Sequence, residues 1–378
     1  MRYISSGHSH GEQITIILDG IPSNLELDLD KINEALYLRK QGFGRSERMN
    51  IEFDKLEIVS GVLFGKTTGA PICIVIKNKD YENHKTYMHP FNYDLTNYER
   101  VTTPRPGHAD LVGAIKYQQK DLRVIIERAS ARETISRVAV GAICAQILNQ
   151  LDINYNSYVT NIGGIELSDD FDLDYLKYSQ VRMPSKMSTE KALKLIEEAK
   201  QKQDTLGGIC QVEITNVPIG LGSYVNSDTK LDGKIAQAVL SIQSCKGVEF
   251  GEGFKLANKF GSKSHDEIIY DGEYKRKSNH YGGFEGGMTN GMPIIVRAVF
   301  KPIPTLMKPL ESVNIDTKEK TLAHIERSDV CAISSASVIC MYTVIYEVTN
   351  ALLMQFTSDT MEQLIDAVKA YREYVKRF

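Results

Sequence analysis

The sequence predicts an α+β fold built from two internally related halves packed as one unit, with long central helices between sheets. Three observations carry this expectation. Four segments recur in the same order: Ile17-Leu-Asp-Gly-Ile-Pro22 with Ile214-Thr-Asn-Val-Pro218, Lys31-Ile-Asn-Glu-Ala35 with Lys234-Ile-Ala-Gln-Ala238, Thr67-Thr-Gly-Ala-Pro-Ile72 with Thr289-Asn-Gly-Met-Pro-Ile294, and Ile126-Glu-Arg128 with Ile325-Glu-Arg327. Each Ile-Glu-Arg segment precedes a long apolar helical run. Short strand-like runs stop at Gly, Pro or Asn turns. Turn chemistry can repeat one match by accident, but four in order point to duplication, with halves at roughly 1–152 and 205–358 inside a single 1–378 domain.

Taken in order, Gln13–Leu18 reads as a strand ended by Asp19-Gly20-Ile21-Pro22, and Asp30 caps a helix through Arg39. A Gly-rich basic turn, Gly42-Phe-Gly-Arg45-Ser-Glu-Arg48, follows it. Strands at Lys55–Val62 and Ile72–Lys77 flank Gly65-Lys66-Thr67-Thr68-Gly69, and residues 78–102 read as a long surface excursion. Thr103-Pro-Arg105-Pro-Gly-His108 is a loop stiffened by proline on both sides of Arg105. Ser130 with Glu133 reads as a capping box, opening a buried helix through Ile135, Val138, Ala139, Ala142, Ile143 and Ile147. That helix start, with Arg128 and Arg132 around it, suits an anion. Later expectations are strands near 155–167, a helix Thr189–Lys202, a strand Ile209–Thr215, a helix Gly233–Cys245 and irregular chain to about 282. A Gly-rich turn and strand over Gly286–Phe300 and helices at about 329–356 and 359–376 close the chain.

The 378 residues carry 45 Lys and Arg against 48 Asp and Glu, a formal charge of −3 that argues against long nucleic acid as partner. Clustered arginines instead suit a small, multiply charged ligand. Six cysteines without a Cys-x-x-Cys pair read as buried thiols of a cytoplasmic protein. The N-terminus has no apolar signal core, and the uncharged Val330–Tyr346 stretch reads as a buried central helix with no membrane role.

Gly61-Val-Leu-Phe-Gly65-Lys66-Thr67 falls one residue short of a P-loop and runs into Pro71 and a strand, so it reads as a turn. No Gly-x-Gly-x-x-Gly follows a strand. His8-Ser-His10 has no acidic or cysteine partner at ligand spacing, so acid–base work by a histidine near the anion site is preferred to a metal. His108, on its stiff loop beside arginine, is the stronger candidate. His84, His89 and His265 default to surface residues, while His280 sits beside a second Gly-rich turn, Gly282–Gly291.

Together these motifs resemble the chorismate synthase family over nearly the whole chain. The resemblance rests on Ser6-Gly-His-Ser-His10-Gly11, Arg105-Pro-Gly-His-Ala-Asp110, Arg128-Ala-Ser-Ala-Arg-Glu-Thr134, Lys246-Gly-Val-Glu249, Ser278-Asn-His-Tyr-Gly-Gly283 and Arg327-x-Asp329-x-Cys331. It implies a β-α-β-α sandwich, a cytoplasmic homotetramer, and anti-1,4-elimination of phosphate from 5-enolpyruvylshikimate 3-phosphate to chorismate. That is the last step of the shikimate pathway, and it needs reduced FMN (FMNH2). On the matching positions, His10 would protonate the departing phosphate, His108 would hold the flavin's ionisation state, and Asp329 would help the flavin N5 region take the ring proton. Substrate would meet Arg39, Arg45, Arg105, Ser130, Arg132 and Arg327. Flavin would meet Arg128, Ala129, Ser130, Gln243, Ser244, Gly286, Lys301, Pro302, Ile303, Pro304, Thr305 and Arg327. The chain departs from the family at His8, where Glu is usual, and at Gln243-Ser244, where Asn-Ala is usual.

Two other functions compete. One is an NADPH-dependent flavin reductase with Arg39 and Arg45 on the nucleotide phosphate, NADPH then serving as an indirect reductant; without it, a separate flavin reductase would be a partner. The other is a non-catalytic phospho-ligand binding protein, which would keep the arginines but has no need of His10, His108 and Asp329 together.

Overall fold

The computed structural model describes residues 1–45, 55–326 and 328–378, so Ser46, Glu47, Arg48 and Arg327 of the motifs above lie outside the described residues. The first sheet comprises β1 (Arg2–Ser6), β2 (Gln13–Asp19), β3 (Leu56–Ser60) and β4 (Ile72–Lys77), in the order β1-β2-β4-β3. Alternation places Ile14, Ile16 and Leu18 of β2 opposite Ile76, Ile74 and Ile72 of β4, all of them buried on one face. Helix α1 (Leu29–Lys40) lies between β2 and β3 in the chain.

Helices α2 (Asp110–Tyr117), α3 (Arg123–Ala129) and α4 (Thr134–Gln150) come next, then β5 (Asn154–Ile162), β6 (Ile165–Glu166), α5 (Lys186–Gln201), β7 (Gly208–Thr215), α6 (Leu231–Leu240), β8 (Cys245–Phe250) and β9 (Ile294–Phe300). The second sheet runs β8-β9-β7-β5-β6, all antiparallel. Read from β5, its order β5-β7-β9-β8 matches β1-β2-β4-β3 strand for strand. The chain closes with α7 (Ile333–Gln355) and α8 (Met361–Arg377).

Helix α7 packs on α4, α6 and α1 and on β5 and β7, while α4 reaches β2 of the first sheet. Gly141 permits the α4–α7 crossing, since a Cβ there would sit 2.4 Å from the Tyr342 carbonyl oxygen. By length and composition α7 could cross a membrane, but 72% of its most apolar window is buried in the protein, as a core helix requires.

The echoed turns share one hydrogen-bond pattern. Thr67 Oγ1 donates to the Pro22 carbonyl at 2.6 Å and accepts from Leu25 N at 2.9 Å. Thr289 Oγ1 donates to the Pro218 carbonyl at 2.6 Å and accepts from Leu221 N at 2.9 Å.

Several local expectations are corrected. Asp28, not Asp30, caps α1, its carboxylate accepting from Asp30 N and Lys31 N. Ser130 caps a 3-10 turn, Ala131–Glu133, and Glu133 turns away toward Ser136 and Arg137, so no capping box forms there. A capping box does form at α8, between Thr360 and Gln363. The 189–202 helix begins earlier, at Lys186 behind Ser185, and the 233–245 helix is Leu231–Leu240, because Cys245 already starts β8. Polar composition and a bulge between Cys245 and Gly247 concealed that edge strand.

Candidate functional site

A cavity of about 440 Å³ opens where the loop between β1 and β2, the stiff loop before α2, the turn between α3 and α4, the α6–β8 connection, the exit of β9 and the start of α7 converge. It gathers His10, Arg39, Arg45, Arg105, His108, Ala129, Ser130, Arg132, Gln243, Ser244, Lys301, Ile303, Pro304, Thr305 and Asp329 from across the sequence. Arg128, Pro302 and Gly286 are not among its lining residues. Arg128 is spent on the Ser5 and Gly7 carbonyls and the Ser5 hydroxyl, and Gly286 sits in a separate hairpin near Tyr224.

His10 is anchored by a carboxylate that the motif reading passed over. Its backbone N donates to Glu127 Oε2 at 2.8 Å, and its ring Nδ1 lies 2.8 Å from Glu127 Oε1. An ionised carboxylate only accepts, so Nδ1 is the donor. Burial raises the Glu127 carboxyl, but the His10 hydrogen bonds and charge, with Arg123, outweigh it and hold it below the ordinary range. The surface excursion supplies a second neighbour: the His84 ring is 4.4 Å from the His10 ring, tilted by 60°. His84 is flanked by Asp80 at 3.5 Å and the Tyr87 hydroxyl at 2.5 Å. Ligand atoms of His10, Asp80 and His84 thus fall within 4.8 Å of one another, which corrects the expectation of no acidic partner near His10.

His108 has the same kind of support. Asp110, fully buried, accepts from His108 Nδ1 at 2.5 Å, from Arg105 Nε at 2.9 Å and from Arg105 N at 3.0 Å. Burial raises the Asp110 carboxyl, and the His108 and Arg105 bonds and charges drive it well below the usual range. Arg105 Nη1 also donates to Thr305 Oγ1 at 2.9 Å, so protein groups fix this arginine along its length. Lys301 Nζ donates to the Gly107 carbonyl, tying the β9 exit to the same loop. Burial, then the Lys246 charge, push the Lys301 ammonium down.

The two echoed glutamates meet at one cation. Arg123 Nη1 lies 3.6 Å from Glu127 Oε1 and 2.6 Å from Glu326 Oε1. Glu326 also lies 3.6 Å from Arg105 and 3.4 Å from His324. Its carboxyl, raised by burial, is pulled down to about 2 by His324, Arg123 and Arg105. On the far side, Arg45 Nε pairs with Asp329 Oδ2 at 3.1 Å, and Arg39 Nη1 donates to Thr134 Oγ1 at 3.4 Å.

Among the described lining residues, Arg39, Arg45, Arg105, Arg132, Lys246 and Lys301 face only Glu326 and Asp329 as acids, a field suited to a ligand with several negative charges. The start of α4 contributes less than expected, because Ser130 Oγ already accepts from Arg132 N at 3.3 Å. Gln243 Oε1 is buried beside the cavity and has no hydrogen-bond partner among the described residues. Beside it, Ile242, Phe300, Ile303 and Ile339 make an apolar wall. Glu127, Arg123, Glu326 and Asp80 were not singled out from sequence, and His84, expected at the surface, is instead partly buried against His10. The recurrence of Ile-Glu-Arg was the available signal for the two glutamates, whereas nothing local marked His84.

The family model described as chorismate synthase matches residues 1–353. A chorismate synthase of Staphylococcus aureus (strain JH9) is 51% identical over 99% of each chain, and one of Staphylococcus carnosus (strain TM300) is 50% identical over 98% of each. A solved chorismate synthase crystal structure superposes with a TM-score of 0.81 at 38% identity, covering 100% of this chain and 98% of its own.

Proposed function

The chain belongs to the chorismate synthase family and is a lyase of the shikimate pathway, and on that premise we propose that it eliminates phosphate from 5-enolpyruvylshikimate 3-phosphate, with reduced FMN bound beside the substrate. The carrying observation is the convergence, in one cation-lined cavity, of two histidines each held by a buried carboxylate. A substrate with two carboxylates and a phosphate needs several cations, and Arg39, Arg45 and Arg132 supply them alongside Lys246 and Lys301. Arg327 belongs to this set by family resemblance.

The buried Gln243 Oε1, without a partner among the described residues, and the apolar wall fit a flat, polar-edged ring, and Ala129, Ser130, Ser244 and the 301–305 segment would complete that contact. When bound, reduced flavin supplies the electron density for an elimination without net redox change. His10, its Nδ1 fixed by Glu127, delivers a proton to the departing phosphate. His108, fixed by Asp110, sets the charge beside the flavin. Asp329, paired with Arg45, takes part in removing the ring proton. Arg128 and Gly286, outside the lining of a single chain's cavity, would reach cofactor only through the homotetramer that the family resemblance implies. The sandwich description, the two halves, the tetramer and a cytoplasmic location belong to this same reading; the matched strand orders and the paired Thr67 and Thr289 turns support the halves.

Anaerobic turnover with photoreduced FMN, following chorismate and phosphate together, tests the reading: both products must form in equal amounts. Repeating it in the dark with oxidised FMN and NADPH tests the flavin reductase reading. Product there supports a nicotinamide site at Arg39 and Arg45, while none points to a separate reductase. Absence of product in both assays, with flavin and substrate bound, would leave only the non-catalytic binder.

A further inference from the structure

A second cavity, of about 820 Å³, lies between α1, α4, α7, β5 and the segment 176–182, and it shares no lining residue with the cation-lined one. Its chemistry is different. Ala35, Leu38, Phe43, Ala142, Ala145 and Met341 make much of the lining apolar, and Tyr155, Tyr178 and Tyr342 add aromatic surface. One lining cation, Arg182, is mostly withdrawn from solvent, whereas Lys31 and Lys177 are exposed. The backbone at Arg182 takes a left-handed φ of 57°, and its carbonyl accepts from Val159 N at 2.8 Å, so the side chain leaves the wall from a fixed point. Nε donates to Ser337 Oγ at 3.1 Å, and Nη2 to the Ser157 carbonyl at 2.6 Å and hydroxyl at 3.2 Å. Nη1 donates to none of the described residues, and no Asp or Glu among them pairs with this guanidinium.

A charge withdrawn from water without a counter-ion is costly, and an anion placed against it offsets that cost. The catalytic cavity sets six cations around its ligand, which suits several negative charges. Here a single withdrawn guanidinium stands beside a broad apolar and aromatic surface, and exposed Glu34 opposes the two exposed lysines. That field suits one negative charge on a large apolar body. We propose that this cavity is a second ligand site that takes a small aromatic monocarboxylate, its carboxylate on Arg182 Nη1 and its ring against the tyrosines. The end of α1 and the turn after it serve both cavities: Leu38, Gln41, Gly42 and Phe43 line this one, Arg39 and Arg45 the other. Phe43 N also donates to the Gln180 carbonyl at 2.9 Å, tying that turn to the segment that carries Arg182. An occupant therefore packs against the stretch that holds two arginines of the substrate cage.

Any effect on turnover rests on the function proposed above; binding at this site does not, so its test uses no turnover. The chain contains no tryptophan, and an indole ligand can therefore be followed by its own fluorescence. Indole-3-propionate is titrated with the full-length protein and its polarisation read, beside the neutral indole-3-propionamide. The carboxylate should bind saturably, and the amide more weakly by about tenfold or more, the worth of a charge-assisted hydrogen bond. Arg182→Gln should weaken the carboxylate by a similar factor and leave the amide as it was. Asn149→Phe, at an exposed lining position, narrows the cavity without touching the cation and should weaken both ligands. Arg132→Gln, in the other cavity, should change neither. If Arg182→Gln does not fold, the amide comparison and Asn149→Phe carry the test. The proposal is overturned by the absence of saturable binding, by equal binding of carboxylate and amide, by indifference to Asn149→Phe, or by a loss on Arg132→Gln.

Discussion

Asp110 shows how one side chain can be both structural and electrostatic. It accepts from the His108 ring and from the backbone and guanidinium of Arg105, with no exposure to solvent. Replacing it with Asn leaves the Arg105 charge buried without its main partner, at a cost of about 3 kcal/mol or more. Urea unfolding of Asp110→Asn checks this; a loss below about 1 kcal/mol would mean that Glu326 alone balances Arg105. Because the Asp110 and Glu326 carboxyls are depressed in the folded state, their contribution is present above their unfolded values. It is lost as pH falls through the folded values, which is about 2 for Glu326. The wild-type chain should therefore lose stability steadily below about pH 4, and Glu326→Gln should lose less over that interval.

Among the elements, the paired turns offer a direct comparison. Thr67 and Thr289 each satisfy one buried carbonyl and one buried amide with the same geometry. Thr→Val at either position orphans both groups and should cost about 2–3 kcal/mol, the two values agreeing within about 1 kcal/mol. Unequal losses in thermal melts would mark the recurrence as one of sequence without equal physical weight. Helix α7 carries a different strain: burial raises the Glu347 carboxyl to about 7, with Lys234 and the N-terminal amine only partly offsetting it. A raised folded value means that stability present below the unfolded value, near 4.5, is lost as pH rises through about 7. Glu347→Gln should therefore match wild type near pH 5 and exceed it by about 2 kcal/mol at pH 8. Melting temperatures at the two pH values decide it, and parallel curves would remove Glu347 as the cause.

At the scale of the molecule, two sheets of matching strand order are linked by packed helices, α7 on β5 and β7 of the second sheet and α4 on β2 of the first, and the cavity lies where the connections between these elements meet. Light scattering of the purified protein should give four times the 42.4 kDa chain mass if the proposed tetramer forms. A monomer that still turns over substrate would assign the whole site to one chain and leave Arg128 and Gly286 without a cofactor role.

By itself the sequence determined which segments are strands and helices where an apolar period was strong, as in β2, β4, α4 and α7. It also singled out, through their motifs, His10, His108, Arg39, Arg45, Arg105, Arg132 and Asp329, which the fold brings to one cavity. Those signals are local, because periodicity and proline–glycine punctuation act over a few residues. Edge strands β1 and β8 escaped, since a half-solvated strand needs no apolar pattern. The Ser130 and Asp30 caps were misread because several residues near a helix start compete for the same amides. What only the tertiary structure decided is the partnership of charges. Glu127 meets His10 across 117 positions and Arg123 meets Glu326 across 203, distances over which no sequence pattern specifies a contact. Packing alone brings those groups within reach, and burial makes their pairing strong.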